Sequence, residues 1–191
     1  LGIPHPTGYP LWCILAKVFM IVVYTGDSAW RANLFSALCG SAAAMCTAWI
    51  ICLTTRHRIA AIAASLSLAF SIEFWEQSVI AEVYALNALI TAACILLLLL
   101  WSETRRNIFL YAAGLLFGAG LTNHQVMLLC APAFAMYVLA IGGVRFRAWT
   151  MHSITLALAF AGLAVYLYLP IRSMADPPMD WGNPETWPAF Y

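Results

Sequence analysis

The stretch RANLFSALCGSAAAMCTAWIICL (31–53) decides the fold class, because no charged side chain follows its first residue. A helix that crosses a bilayer needs about 20 mostly apolar residues, and this stretch is long enough. In lipid the backbone N–H and C=O groups must be satisfied within the segment, which leaves the helix as the open-chain solution. We therefore predict a transmembrane helix over residues 31–53.

The rest of the chain repeats this pattern. Apolar runs between short polar breaks predict further helices at 10–24, 59–72, 85–101, 108–122, 126–141 and 151–169. Hydrophobic residues make up 64% of the 191 residues and charged residues 9%, which is more apolar surface than one water-soluble core of this length can bury. The prediction is an all-α, polytopic transmembrane bundle of about seven hydrophobic segments, in one domain over residues 1–191.

Composition also narrows the function classes. The net charge of +1 gives no support for a nucleic-acid partner. The six cysteines all lie in apolar runs without CxxC or Cys/His spacing, so we predict small buried or lipid-facing side chains rather than disulfides or a metal site. We expect an integral membrane protein.

Basic residues predict the orientation of the helices. Three clusters in short loops are expected on the cytoplasmic side, at 56–58, 105–106 and 145–147. The polar stretches SIEFWEQSVIAEVY (71–84), LTNHQ (121–125) and the loop 170–191 then share the outer side. Counting spans would put residues 1–9 inside, so the side of the first segment stays open.

The stretch EFWEQSVIAEVYALN (73–87) carries three glutamates next to an apolar run. Ionisable residues at such depth usually mark a functional path. If the stretch is one helix, Trp75 and Glu82 share a face. Glu82 is a candidate catalytic or substrate-binding carboxylate, with Trp75 and Tyr84 as binding residues. The alternative is an interfacial loop in which the aromatic residues anchor the helix.

Two more polar motifs could hold an anion. In GLTNHQVML (120–128), Asn123 and His124 can donate hydrogen bonds to a phosphate oxygen, or simply cap a helix-loop-helix turn. In YLYLPIRSMADPPMDWGNPETW (166–187), Arg172 is placed to bind a lipid phosphate, or to contact native headgroups. Trp181 is a candidate for stacking on a sugar.

The opening LGIPHPTGYPLW (1–12) predicts a rigid elbow. Pro4 and Pro6 restrict the backbone around His5, and Gly8 permits a sharp turn before Tyr9. His5 is therefore a candidate for a fixed catalytic position, although a lone histidine is more often structural.

Together, GIPHPTGYPLW (2–12), FWEQSVIAEVYALNALI (74–90), LTNHQVML (121–128) and YLPIRSMADPPMDWGNPETW (168–187) resemble the GT-C superfamily of membrane glycosyltransferases. The similarity is to the protein O-mannosyltransferase-like group of the transmembrane-protein-260 type and its bacterial relatives. It covers nearly the whole chain, which we expect to be a piece of a longer enzyme.

The resemblance implies a glycosyltransferase that moves mannose or a similar sugar from a polyprenyl-phosphate carrier to a protein or glycan acceptor. The site would face the periplasm or the lumen, from the bacterial inner membrane or the endoplasmic reticulum. His5 and Tyr9 would close the first outer loop beside an acidic general base, expected upstream of Leu1. Glu82 and Tyr84 would lie in the sugar cleft, with His124 and Arg172 near the phosphate. No cofactor is implied with certainty, and a divalent metal stays open.

The competing interpretation is a non-catalytic transporter or lipid-binding protein that uses its glutamates as an ion or proton path. It predicts acidic residues along a continuous route across the bilayer. The glycosyltransferase hypothesis predicts that the polar motifs meet at one end.

Overall fold

The structure, a computed structural model, describes residues 2–5, 8–144 and 146–186, with residues 146 and 147 described by their backbone alone. Within these ranges the chain is helical apart from its connections and one isolated parallel bridge between Ile3 and Asp180. The α-helices are α1 (Pro10–Val22), α2 (Ser28–Thr55), α3 (Arg58–Ala69), α4 (Ile72–Ser78), α5 (Val83–Thr104), α6 (Asn107–Leu121), α7 (Ala131–Gly142), α8 (Phe146–Leu163) and α9 (Tyr168–Ser173). Short 3₁₀ helices, Gln125–Cys130 and Ala164–Leu167, lead into α7 and α9.

Four helical stretches are long and apolar enough to cross a membrane: Ser28–Thr55, Val83–Thr104, Gln125–Gly142 and Ala148–Ser173. The bent pair α3–α4, with 67° between its two helices, is a fifth if it counts as one span. The predicted all-α membrane bundle is confirmed. The prediction of about seven hydrophobic segments was loose, since four or five of them are long enough to cross a membrane. With 13 and 15 residues, α1 and α6 are shorter than the roughly 20 residues that a crossing needs.

One end of the bundle, the basic end, collects the C-terminal ends of α2, α5 and α7. Arg56, just after α2, pairs with Glu103 on α5 at 3.2 Å. The Arg105 guanidinium, just after α5, donates to the Ile141 carbonyl of α7 at 3.0 Å. The first two basic clusters therefore lie together as the charge pattern predicts. Arg145 of the third cluster lies outside the described residues.

The opposite end, called the polar end here, is tied together by tyrosine and asparagine side chains. Asn123, after α6, donates to the Val83 carbonyl at the start of α5 at 3.1 Å. The Tyr166 hydroxyl donates to the Leu121 carbonyl at 3.0 Å. The Tyr168 hydroxyl donates to the Gly2 carbonyl at 3.0 Å, which brings the N-terminal segment to the same end.

Helix α1 does not reach the basic end. It runs antiparallel to the first half of α2, with Phe19 packed on Phe35 at 5.6 Å between ring centroids. Arg31 fixes this hairpin, because its guanidinium donates to the Met20 carbonyl (2.8 Å) and the Val23 carbonyl (3.4 Å). These are C-terminal carbonyls of α1 that would otherwise lack partners. The helix predicted at 10–24 is thus present as α1, which packs along α2.

Helices α6 and α8 lie backbone against backbone, and glycines make this contact possible. A Cβ on Gly114 would lie 2.6 Å from the Thr155 carbonyl oxygen. A Cβ on Gly118 would overlap the carbonyl of Ala159, and one on Gly162 would overlap the backbone of α6. Small residues allow backbones to approach in this way within membranes. The Gly114/Gly118 pair is thus a helix-packing motif in this chain.

The stretch 73–87 is not one helix, so the idea that Trp75 and Glu82 share a helical face is wrong. Helix α4 ends at Ser78, and Glu82 has extended backbone angles, φ −133° and ψ 162°. Tertiary contacts explain the break. Ser78 lies directly against Gly40 of α2, while Val83 is buried at the start of α5. The two packing directions differ, and the chain bends between them.

Candidate functional site

Four rings from three distant segments form a continuous row at the polar end. His5 meets Tyr9 edge-to-face at 5.2 Å between ring centroids, and Tyr9 stacks on His124 at 6.1 Å with 15° between the planes. Tyr84 lies 5.6 Å from His124, with 43° between the ring planes. We call His5, Tyr9, His124 and Tyr84 the aromatic row. Edge-to-face and offset contacts at these separations are favourable geometries for ring pairs.

The N-terminal elbow has an unusual backbone at Gly8 and Tyr9. Gly8 has φ +80°, and a Cβ there would also lie 2.7 Å from a methyl carbon of Leu169. Tyr9 has φ +41°, in the left-handed region that non-glycine residues seldom adopt. Pro10 then begins α1 at a position where its missing N–H costs nothing. Strain of this kind persists only where surrounding contacts impose it.

Residues 168–181 supply the contacts that hold the elbow. Ile3 is 2% exposed, its N–H donates to the Met179 carbonyl at 2.8 Å, and its carbonyl accepts from the Trp181 N–H at 3.1 Å. The Tyr168 hydroxyl adds its bond to Gly2. Three backbone groups of two residues, Gly2 and Ile3, are thereby fixed to the chain that follows α8.

The tautomer of His124 follows from its local structure. His124 precedes the 3₁₀ helix Gln125–Cys130, and its Nδ1 accepts a hydrogen bond from the Val126 N–H at 3.2 Å. A neutral imidazole whose Nδ1 accepts carries its hydrogen on Nε2. His124 therefore offers an Nε2–H donor in the aromatic row, which suits an oxygen atom of an anion or a sugar.

Glu82 adds negative charge to the row. It is an exposed residue directly before α5, and its side chain makes no capping hydrogen bond to the helix. Burial, together with nearby Tyr84 and Glu82, raises the pKa of Tyr9 above its ordinary value. The Tyr9 phenol is therefore protonated at neutral pH and available as a hydrogen-bond donor.

The other residues that the sequence predicted for the site lie in four different surroundings. Asn123 is fully buried, and its amide donates to the Val83 carbonyl. Trp75 stacks on Phe70 at 5.6 Å between ring centroids and is half exposed. Arg172 lies one turn after Tyr168 on α9, close enough for its charge to act on that tyrosine. Trp181 has an exposed ring, and its backbone binds Ile3.

Sequence reasoning missed the residues that hold the elbow. Tyr168 is the clearest case, and the available signal was its position one helical turn before Arg172. Ser173 is another, because its fully buried hydroxyl lies 2.8 Å from Asp180 Oδ2 and 2.9 Å from Asn183 Oδ1, which orders the loop that pairs with Ile3. Among the described residues, no group of three or more His, Cys, Asp or Glu side chains could hold a metal ion.

The described fold and site define a polytopic helical membrane protein with a polar, aromatic site at one end of its bundle. The model of the protein O-mannosyl-transferase TMEM260 N-terminal domain matches residues 1–145, so the chain belongs to this family. The resemblance found in the sequence motifs is thereby confirmed.

Two curated relatives carry the same family name. The chain is 30% identical to protein O-mannosyl-transferase TMEM260 of Mus musculus over 203 residues, which is 100% of this chain and 28% of that protein. It is 25% identical to protein O-mannosyl-transferase tmem260 of Dictyostelium discoideum over 209 residues, 99% of this chain and 25% of that protein. The chain thus spans about a quarter of the relatives' length. No solved structure matches the chain.

Proposed function

We propose that this chain forms part of a glycosyltransferase that moves mannose from a polyprenyl-phosphate carrier to a hydroxyl group of a protein. The main support is the aromatic row, in which rings from the N-terminal elbow, the start of α5 and the end of α6 meet at one end of the bundle. The family supplies the type of reaction, since both relatives are named protein O-mannosyl-transferases.

The proposed site binds the donor through its phosphate and its sugar. The Nε2–H of His124 and the guanidinium of Arg172 donate to phosphate oxygens, which is the charge-assisted contact that best holds such a group. The faces of Tyr9 and Tyr84 hold the sugar, with Trp75 and Trp181 as flanking surfaces for the carrier or acceptor. The prenyl chain extends into the bilayer beside the helices.

In the transfer, the acceptor oxygen forms a bond to the anomeric carbon of the sugar. The bond from that carbon to the phosphate oxygen breaks, and the electron pair leaves with the phosphate. A carboxylate takes the acceptor proton, and Glu82 is the carboxylate next to Tyr9 in the described site. His5, at the end of the row, orients the acceptor hydroxyl. Positive charge on Arg172 stabilises the leaving phosphate.

We place the site on the lumenal or periplasmic side of the membrane. The reason is the position of the basic clusters at the opposite end, since short loops rich in arginine stay in the cytoplasm. A divalent metal is not required by this scheme.

The transporter alternative gains no support from the positions of the glutamates. Glu73 and Glu76 lie on α4, and Glu82 lies in the linker that follows it. All three belong to the polar end, whereas a proton path needs ionisable groups through the thickness of the bilayer.

The test is mannosyl transfer from a polyprenyl-phosphate mannose donor by the full-length protein. We expect Arg172→Ala to lower turnover by about 10²- to 10³-fold and Glu82→Gln by about 10²- to 10⁴-fold. Arg56→Ala and Glu103→Gln are matched controls, because these two residues form an exposed ion pair at the basic end. Controls should transfer normally, since exposed pairs contribute little. Unchanged turnover in both site variants would refute the proposed roles.

A further inference from the structure

Asn123 lies between the two segments that carry most of the aromatic row. Its neighbour in sequence is His124, and its amide nitrogen donates to the carbonyl of Val83 at 3.1 Å. Val83 in turn lies between Glu82 and Tyr84. One side-chain hydrogen bond therefore links the His124 segment to the segment that carries the carboxylate and the second tyrosine.

The burial of Asn123 excludes a direct contact with substrate in this arrangement. The residue is 0% exposed, whereas Tyr84 is 49% exposed. The Asn123 backbone is fixed as well, because its N–H donates to the Gly120 carbonyl at 2.9 Å and the His124 N–H donates to the same carbonyl at 3.0 Å. The amide is thus a rigid donor that starts from the end of α6.

The NH₂ group of the Asn123 amide, and not its oxygen, makes the hydrogen bond between the two segments. Asn123 Nδ2 binds Val83, while the buried Oδ1 has no hydrogen-bond partner among the described residues. An aspartate of the same shape would turn an oxygen towards the Val83 carbonyl and lose the bond. A buried carboxylate oxygen that faces a carbonyl oxygen has no donor and is unfavourable.

We propose that Asn123 is a positioning residue, whose buried amide holds Glu82 and Tyr84 in register with His124. It acts through Val83 and does not touch the substrate. Displacement of reacting groups by about 1 Å can slow an enzyme about 10²-fold, so a single hydrogen bond between the two segments is enough to matter. The expected loss of kcat rests on the proposed function, but the expected change in the ring contacts of His124 does not.

The geometric test uses the ring contacts of His124. In full-length protein labelled with ¹³C at histidine Cε1, the resonance lost in His124→Gln identifies His124. Ring currents from Tyr9 and Tyr84 displace this resonance in the parent protein. We expect Asn123→Asp and Asn123→Ala to move it towards its unperturbed position, because Tyr84 loses its register with His124.

Controls separate this displacement from general unfolding. His57 caps α3 and His152 contacts the Gly143 carbonyl, both away from the row, so their resonances should not move. Asn87→Ala removes another asparagine, one turn further along α5, whose Oδ1 is also buried without a partner. This control should leave the His124 resonance in place. A His124 resonance in Asn123→Asp that coincides with the parent's would overturn the proposal.

The kinetic test determines whether the substitution lowers kcat or raises KM. We expect Asn123→Asp to lower kcat for mannosyl transfer by about 10- to 100-fold while KM for the donor changes by less than about threefold. A purely structural residue would instead reduce the amount of active protein and leave kcat per folded molecule unchanged, which would also overturn the proposal. If the parent protein transfers no mannose, the proposed function fails, and the His124 resonance still decides the role of Asn123.

Discussion

The α6–α8 crossing and the N-terminal elbow represent two different ways of building this molecule. At the crossing, Gly118 and Gly162 let one backbone lie directly against another. At the elbow, a strained turn is held by a few separate hydrogen bonds, such as those from Tyr168 to Gly2 and from Ile3 to Met179. The α6–α8 contact leaves no space for a larger side chain. The elbow, in contrast, depends on a few hydrogen bonds that single substitutions can remove. The difference predicts that damage at the crossing removes the fold, whereas damage at the elbow removes the site.

The largest effect is expected for Gly118→Val. Its Cβ would overlap the carbonyl of Ala159, and a backbone atom cannot move aside as a flexible side chain can. Overpacking in ordinary cores costs about 1–3 kcal/mol, and we expect this variant to lie at or above that range. Thermal unfolding of detergent-solubilised protein, followed by tryptophan fluorescence, measures the loss.

The control for this variant is Ala157→Val on α8, where the side chain is exposed and the added methyl groups would face lipid. It should unfold at the parent's temperature. If the two variants were equally stable, the close crossing of α6 and α8 would be wrong.

A smaller effect, confined to the site, is expected for Tyr168→Phe. The change removes the hydrogen bond to the Gly2 carbonyl at 3.0 Å, which should cost about 1 kcal/mol. The elbow then loses a contact that holds His5 and Tyr9 in the row. We expect faster hydrogen exchange at residues 2–5 and a roughly tenfold lower rate of mannosyl transfer.

Tyr137→Phe is the matched control for that comparison. Its hydroxyl donates to Ser102 Oγ at 2.8 Å, on helices α7 and α5 towards the basic end. Deleting it should cost a similar free energy of unfolding without altering exchange at the elbow or the transfer rate. Equal losses of transfer in both variants would show that activity follows general stability rather than the elbow.

The sequence predicted the crossing regions better than the connections. Hydrophobic runs located α2, α5 and the span Gln125–Gly142 to within a few residues, because bilayer thickness sets a simple length rule. The bend between α4 and α5 had no such signal, since it arises from Ser78 packing on Gly40. The same reason explains why Trp75 was grouped with Glu82.

The aromatic row was only partly predictable. The polar motifs singled out His5, Tyr84 and His124, and the family resemblance added Tyr9. The basic clusters predicted a common side for the stretches that carry Tyr84 and His124. The sequence left the side of residues 1–9 open, because span counting and motif resemblance disagreed. The structure shows why. Arg31 fixes α1 against the first half of α2, and α1 has only 13 residues, so a count that treats 10–24 as a full span assumes a longer helix than the chain forms.

The smallest expected effect concerns the electrostatics of the row and uses Glu82→Gln. Burial is the largest cause of the raised pKa of Tyr9, followed by Tyr84 and then Glu82. A nearby carboxylate disfavours the tyrosinate, so its neutralisation should lower the pKa of Tyr9 while leaving it above the ordinary value of 10.0. The ¹³Cζ shift of Tyr9, assigned with Tyr9→Phe, reports the titration.

Glu73→Gln is the matched control, because Glu73 is an exposed carboxylate on α4 and is not among the causes of the Tyr9 shift. It should leave the Tyr9 titration where it is. A Tyr9 pKa that responds to neither variant would mean that Glu82 does not lie beside the row. A response to both would mean that Tyr9 senses the net charge of the polar end rather than one neighbour, and the carboxylate assigned to proton transfer would lose its place in the site.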